Sequence, residues 1–413
     1  MWRNRFTFFR VIAAAVVVLL PHTLLAESAL ERTQVNGFVS QGYINSSGNN
    51  FLSDSEEGTF EFNEVGIAVN SQVNDKLKVG AQLLARDLGP VGNNEVRIDW
   101  GYADYHLMDS LGFRVGKAKI PFGLYNEGRD SDFLRPMVFL PQGIYDETKR
   151  DLLVAYQGFG VYGNVSLGFL GDLDYQGFVG SINFPDDSTL VQTLKESASR
   201  RVRATGTPTN LLTSFNLENN YIAGASVIVN TGLYNMRMGA SILTVDNDMT
   251  FQYIDTAGPN AAPSTGTGEL RNKGKTVYSV EIPISRLTLA GEYGETDRKQ
   301  VIFGATNIDG PSQEWYGMAT LAITDKASFS FLYDVYYRLK NDKGGNTLPG
   351  ATPKHSAWRK DTGFSARYDF SNNWVGKLEY HDVNGTGLFM SAFNPDGLEQ
   401  YWKYYALKAS FNF

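Results

Sequence analysis

The sequence contains no cysteine, which excludes disulfides and thiolate metal sites and suits an exported chain. Histidine is almost as scarce: beyond residue 26 there are only His106, His355 and His381. A hydrolytic site needs a histidine within hydrogen-bond reach of a nucleophile or an acid. His381 and Asp382 are adjacent on an expected strand and so point to opposite faces, and His355-Ser356 sits in a loop containing Pro and Gly. No histidines have metal-ligand spacing and no glycine-rich phosphate loop follows a strand, so neither catalysis nor a metal or cofactor is expected. Basic charge is in deficit, with 37 Lys+Arg against 44 Asp+Glu, which argues against nucleic acid as a partner. After residue 26 no long apolar run occurs, so a membrane-spanning chain would have to be a closed β-barrel, the one alternative to helices that satisfies every backbone group in hydrocarbon. No repeat longer than a hairpin, no second domain and no globular region ahead of the first strand is evident.

What is present begins with Arg3, Arg5 and Arg10 ahead of an apolar run from Val11 to Leu20, then Pro21 and Leu24-Leu25-Ala26. That is the anatomy of a secretory signal, and the run is about half the roughly 20 residues a spanning helix needs. Residues 1–26 are therefore expected to be cut away before Glu27, leaving 27–413 as one domain with ten more acids than bases.

Alternation dominates the rest. Glu64 to Arg86 reads as a hairpin: Val65, Ile67 and Val69 share one face, and Val79, Ala81, Leu83 and Ala85 resume it beyond an Asn74-Asp75-Lys76 turn. The same pattern places strands at 34-44, 60-72, 77-87, 96-108, 112-120, 152-169, 173-182, 218-229, 233-246, 275-284, 287-296, 313-323, 327-339, 358-370, 374-383 and 400-413, sixteen in all, with eighteen as the alternative count. Short turn-forming connections alternate with longer polar ones, the asymmetry of a transmembrane barrel, and an even count puts both termini in the periplasm. Aromatics are 13% of residues, and Phe60, Phe62, Trp100, Tyr102, Trp315, Tyr316, Tyr336, Tyr337, Trp374, Tyr401 and Trp402 fall at expected strand ends, where interfacial girdles would lie. Among the long connections, 183-217 reads as a solvated helix closing on Arg200, Arg201 and Arg203, or as a funnel for anions, and 247-274 as a mobile loop.

The last strand, YWKYYALKASFNF over 401–413, puts Tyr405, Leu407, Ala409, Phe411 and Phe413 on one face. It resembles the closing strand of Gram-negative outer-membrane barrels, which implies that Phe413 is an assembly signal for the barrel assembly machinery and that lipid and lipopolysaccharide surround the protein. The connection 121–151, PFGLYNEGRDSDFLRPMVFLPQGIYDETKRD, is too apolar to stand in water, and it follows the fifth strand. Its place matches the constriction loop of sixteen-stranded porins, and FRVGKAKIPFG over 113–123 resembles the strand-to-loop junction of the phosphate-selective porin family. That resemblance implies a porin and a homotrimer.

In such a pore selectivity comes from fixed charges facing each other across the narrowest section. The loop candidates are Glu127, Arg129, Asp130, Asp132 and Arg135, and the wall candidates are Lys78, Arg86, Arg97 and Arg114, with Lys117 and Lys119 at the loop's root. Loop acids facing wall bases would set up a transverse field; plain salt bridging is the alternative. The expectation is a diffusion channel for ions and small hydrophilic solutes, against a structural or adhesive outer-membrane barrel whose external loops bind a partner.

Overall fold

The computed structural model describes residues 32–89, 92–205, 209–256, 262–348, 352–389, 393–394 and 396–413. The expected signal segment and the cut before Glu27 lie outside them. Sixteen antiparallel strands close into a barrel in which each pairs with its chain neighbours and the last returns to the first. They are β1 Thr33–Ser47, β2 Asn63–Gln72, β3 Leu77–Asp87, β4 Arg97–Met108, β5 Leu111–Lys119, β6 Ala155–Ser166, β7 Asp172–Ser181 and β8 Asn210–Asn230. The second half comprises β9 Arg237–Asp255, β10 Ser264–Ile284, β11 Leu287–Ile302, β12 Ala305–Ala322, β13 Ala327–Tyr337, β14 Trp358–Ser371, β15 Trp374–Asn384 and β16 Tyr401–Asn412. Among the described residues two α-helices lie in the connections, α1 Arg150–Leu153 and α2 Thr189–Thr205.

Period-two side chains decide which face meets which solvent. On β16 Tyr405 and Leu407 point outward, about half exposed, while Tyr404, Ala406 and Lys408 are buried inside. The seam sets Phe38 opposite Asn412, and Phe413 extends it with two backbone bonds to Gly37 of 2.9 and 3.0 Å. The Phe413 ring lies over Gly37, where a Cβ would come within 2.3 Å of it, so the terminal ring needs a glycine beneath it.

The structure corrects the sequence reading in three places. First, β8 to β12 run much further than expected, and most of the expected loops at 247-274 and 297-312 is paired strand. At 21 residues, β8 and β10 are roughly 70 Å long at about 3.3 Å per residue, more than twice the roughly 30 Å of a hydrocarbon core. The added length is polar and is joined across strands by charge: Arg271 pairs with Asp246 and Asp248, each at 2.7 Å. Second, α2 is not a solvated helix. Leu190, Leu194, Ala198 and Val202 form an i, i+4 stripe that is buried in one cluster with Ile222, Met249, Phe251 and Ile302 of the wall. Third, the aromatics divide: Phe60, Trp315, Trp374 and Tyr401 are exposed and Trp100, Tyr102 and Tyr337 half-buried, but Phe62, Tyr316, Tyr336 and Trp402 are buried, so four of the eleven expected girdle residues are interior packing.

Candidate channel constriction

Residues 120–154, between β5 and β6, enter the barrel because their apolar groups have nowhere else to go. Ile120, Phe122, Met137, Ile144 and Tyr145 are at most 1% exposed and share a core with Phe178, Leu243, Val277, Met318 and Leu332 of the wall. Val138 and Phe139 join a second cluster with Ile44, Trp402 and Tyr404, and Phe139 stacks on Phe62 with centroids 5.4 Å apart.

Polar groups then fix the loop's position. Glu292 of β11 accepts the Leu124 N–H at 2.9 Å, together with the hydroxyls of Ser279, Tyr145 and Tyr316. Asp334 of β13 accepts the Gly143 N–H at 3.0 Å, and Glu379 of β15 takes the N–H groups of Val138 and Phe139. Behind these acids Arg359 joins Asp334 to Asp361, and His381 bonds Asp361 at 2.9 Å and Glu379 at 3.3 Å. His381 does find acids, Asp361 across the strands and Glu379 two residues away on its own strand, and at 1% exposure its ring serves this buried network.

Asp132 is the densest junction. Its carboxylate meets Arg135 at 2.5 Å, Lys408 at 2.9 Å, Lys377 at 3.7 Å and the Ser410 hydroxyl at 2.6 Å. Burial alone would raise its pKa, but Lys408, Arg135 and Lys377 outweigh that and hold it below the usual carboxylate range. Asp130 is likewise held well down against burial by Arg150 and Lys119, and Lys119 also bonds Asp99 at 2.5 Å. For Glu147, burial is overcome by Arg129 at 2.5 Å, then Arg86 and Arg150, which bring it to about 2.

The candidate residues therefore separate. Lys119 meets Asp130, Arg135 meets Asp132, and Arg86 lies 3.6 Å from Glu147. Arg97 does not face the loop acids; it is bonded to Asp187 ahead of α2 and to Glu95, each at 2.6 Å. Arg114 bonds Asp104 at 3.0 Å beneath the rings of Tyr102 and Tyr162, within electrostatic reach of Glu127. Glu127 is the exposed loop acid, bonded to Gln176 at 2.9 Å. Lys117 bonds the Ile98 carbonyl at 2.6 Å, and Lys78 is exposed beside the Asn74–Lys76 turn. Asp130 and Asp132 are thus neutralised where they lie, and the partners of Asp132 come from β15 and β16 rather than from the early strands. Those partners had a visible signal, since Lys377, Glu379 and Lys408 are charges in mid-strand at inward parity, which need partners.

Solved structures share this architecture. Outer-membrane expressed OmpT of Vibrio cholerae aligns with a TM-score of 0.53 at 12% identity, covering 92% of this chain and 97% of that chain. The outer membrane channel DcaP of Acinetobacter baumannii aligns at 0.52 and 12%, covering 92% and 97%. An anion-selective porin from Comamonas acidovorans aligns at 0.50 and 10%, covering 92% and 99%. At such identities the likeness is one of fold, and the fold is that of a porin-like outer-membrane barrel. No protein-family model and no curated protein matches the sequence.

Proposed function

We propose that this protein is an outer-membrane porin of a Gram-negative bacterium, a water-filled channel for passive diffusion of ions and small hydrophilic solutes. It would be exported through a signal cut before Glu27 and would use no cofactor and no catalytic chemistry. The observation that carries this reading is the segment 120–154, which turns into a closed barrel and is tied to the wall by Glu292, Asp334, Glu379 and the cations around Asp132. A barrel serving only as an anchor has no use for a loop held inside it.

On this reading Glu127 and Arg114 are the opposed charges that a passing solute meets, and Phe413 is the group the assembly machinery recognises. A homotrimer in lipid and lipopolysaccharide fits the two kinds of outer wall. β2 and β3 present Val65, Ile67, Val69, Val79 and Leu83, while β12 to β16 present Trp315, Phe331, Phe364, Tyr368, Trp374 and Tyr405. An aromatic wall suits lipid and a small aliphatic one suits another protomer. The second reading, a barrel that binds a partner outside the cell, is favoured by the height of β8 to β12. Purified protein in planar bilayers decides between them: stepwise conductance supports the channel, and a silent bilayer containing folded barrel supports the anchor.

A further inference from the structure

A cavity of about 100 Å³, open on one side, lies between the wall at β3 to β5, the returning end of the inward loop and the start of α2. Most charges around it are committed: Arg97 is held by Asp187 and Glu95, and Arg150 by Asp130. Three are not. The Arg86 side chain is 11% exposed, and its Nε and Nη1 have no hydrogen-bond partner. Its nearest acid, Glu147, is 3.6 Å away and already bonded to Arg129. Lys117 bonds a backbone carbonyl and, among the described residues, has no carboxylate at ion-pair distance. Asp151, in α1, accepts no hydrogen bond and joins no ion pair among the described residues, yet it lines the same cavity and acts electrostatically on both cations. The first residue of the 17-residue helix α2, Thr189, also lines the cavity and adds the positive end of a helix dipole.

Buried donors without acceptors are unfavourable, and a ligand that supplies the acceptors removes that penalty. A simple anion would meet Asp151 as a like charge, and a simple cation would meet Arg86 and Lys117. A molecule carrying both charges satisfies all three groups. We propose that the cavity binds a small zwitterion, a free amino acid, with its carboxylate on Arg86 and Lys117 and its ammonium on Asp151. This deepens the channel reading, on which it rests, by adding a binding station for one solute class beside the root of the inward loop.

The test is calorimetric titration of the folded, detergent-solubilised protein with L-alanine, propionate and ethylamine, alongside current recordings in KCl alone. L-Alanine should bind about tenfold more tightly than propionate, the worth of one charge-assisted contact, and ethylamine should not bind detectably. Asp151→Asn should weaken L-alanine about tenfold, to the level of propionate, without changing propionate. Lys117→Gln should weaken both. Asp151 has no partner to lose, so its variant should fold, and heat-modifiable gel mobility checks this. Equal binding of L-alanine and propionate by the wild type would overturn the zwitterion assignment, as would L-alanine binding unchanged in Asp151→Asn. Heatless titrations with KCl conductance intact would overturn the station alone; absent conductance would overturn the channel reading as well.

Discussion

Asp132 and Glu292 are both buried carboxylates where the inward loop meets the wall, but Asp132 stands among Arg135, Lys377 and Lys408, whereas Glu292 has no ion-pair partner among the described residues. Glu292 is held by three hydroxyls and one peptide N–H. The first junction gathers charges more than 240 residues apart in the chain, and the second disperses one charge over neutral donors. Removing the acid should therefore have different consequences. At Asp132 it strands a cluster of buried cations; at Glu292 it leaves groups that can still bond to an amide oxygen.

The largest effect should come from Asp132→Ala, which leaves three cations without their shared acid and should cost about 3–5 kcal/mol. The temperature at which the folded gel species disappears reports it. Next is acid. Glu147 lies at about 2, below its ordinary 4.5. Its pairing therefore contributes fully above about 4.5 and is lost as the pH falls toward 2, roughly 3 kcal/mol at 1.36 kcal/mol per unit. Stability should be level from pH 7 to about 5, fall below that, and fall less steeply in Glu147→Gln. An identical acid limb in that variant would remove Glu147 from the account.

Glu292→Gln comes third, at about 1 kcal/mol, because it keeps an acceptor for the Leu124 N–H. A loss as large as that of Asp132→Ala would erase the distinction between the two junctions. The smallest effect is on selectivity: Glu127→Gln should move the zero-current potential under a salt gradient toward anions, and Arg114→Glu toward cations. In bulk physiological salt these charges are screened beyond about 8 Å, but a narrow lumen keeps them nearer than that to a passing ion. Unmoved potentials would place both residues away from the solute path.

Much of this was legible in the chain. Expected and observed limits agree for β3 at 77–87, and the outward face of β16 down to Phe413 is as its alternation indicates. The inward loop was legible because ten large apolar groups cannot remain in water. The tops of β8 to β12 were not, since AGPNAAPSTGTGE has the composition of a loop and is drawn partly into strand by pairing with neighbours on both sides. The anchors of the loop were hidden by distance: Lys377 and Lys408 follow Asp132 by more than 240 residues, and strand parity shows that they point inward without showing at what height they meet an acid. Asp130 and Asp132 read as free pore charges for the same reason. From its sequence α2 reads as solvated, because its apolar stripe is narrow and its partners are wall residues on other strands.

The central claim is that the 120–154 segment stands inside an open barrel and narrows it, held by the Asp132 junction. Single-channel conductance of wild type and Asp132→Ala, recorded in the same bilayers and salt, tests it most directly. Discrete steps for the wild type and larger or noisier ones for the variant are predicted, because loosening the loop widens the narrowest section. Silent wild-type protein that runs as folded barrel, or steps of identical size and noise from both proteins, would contradict it.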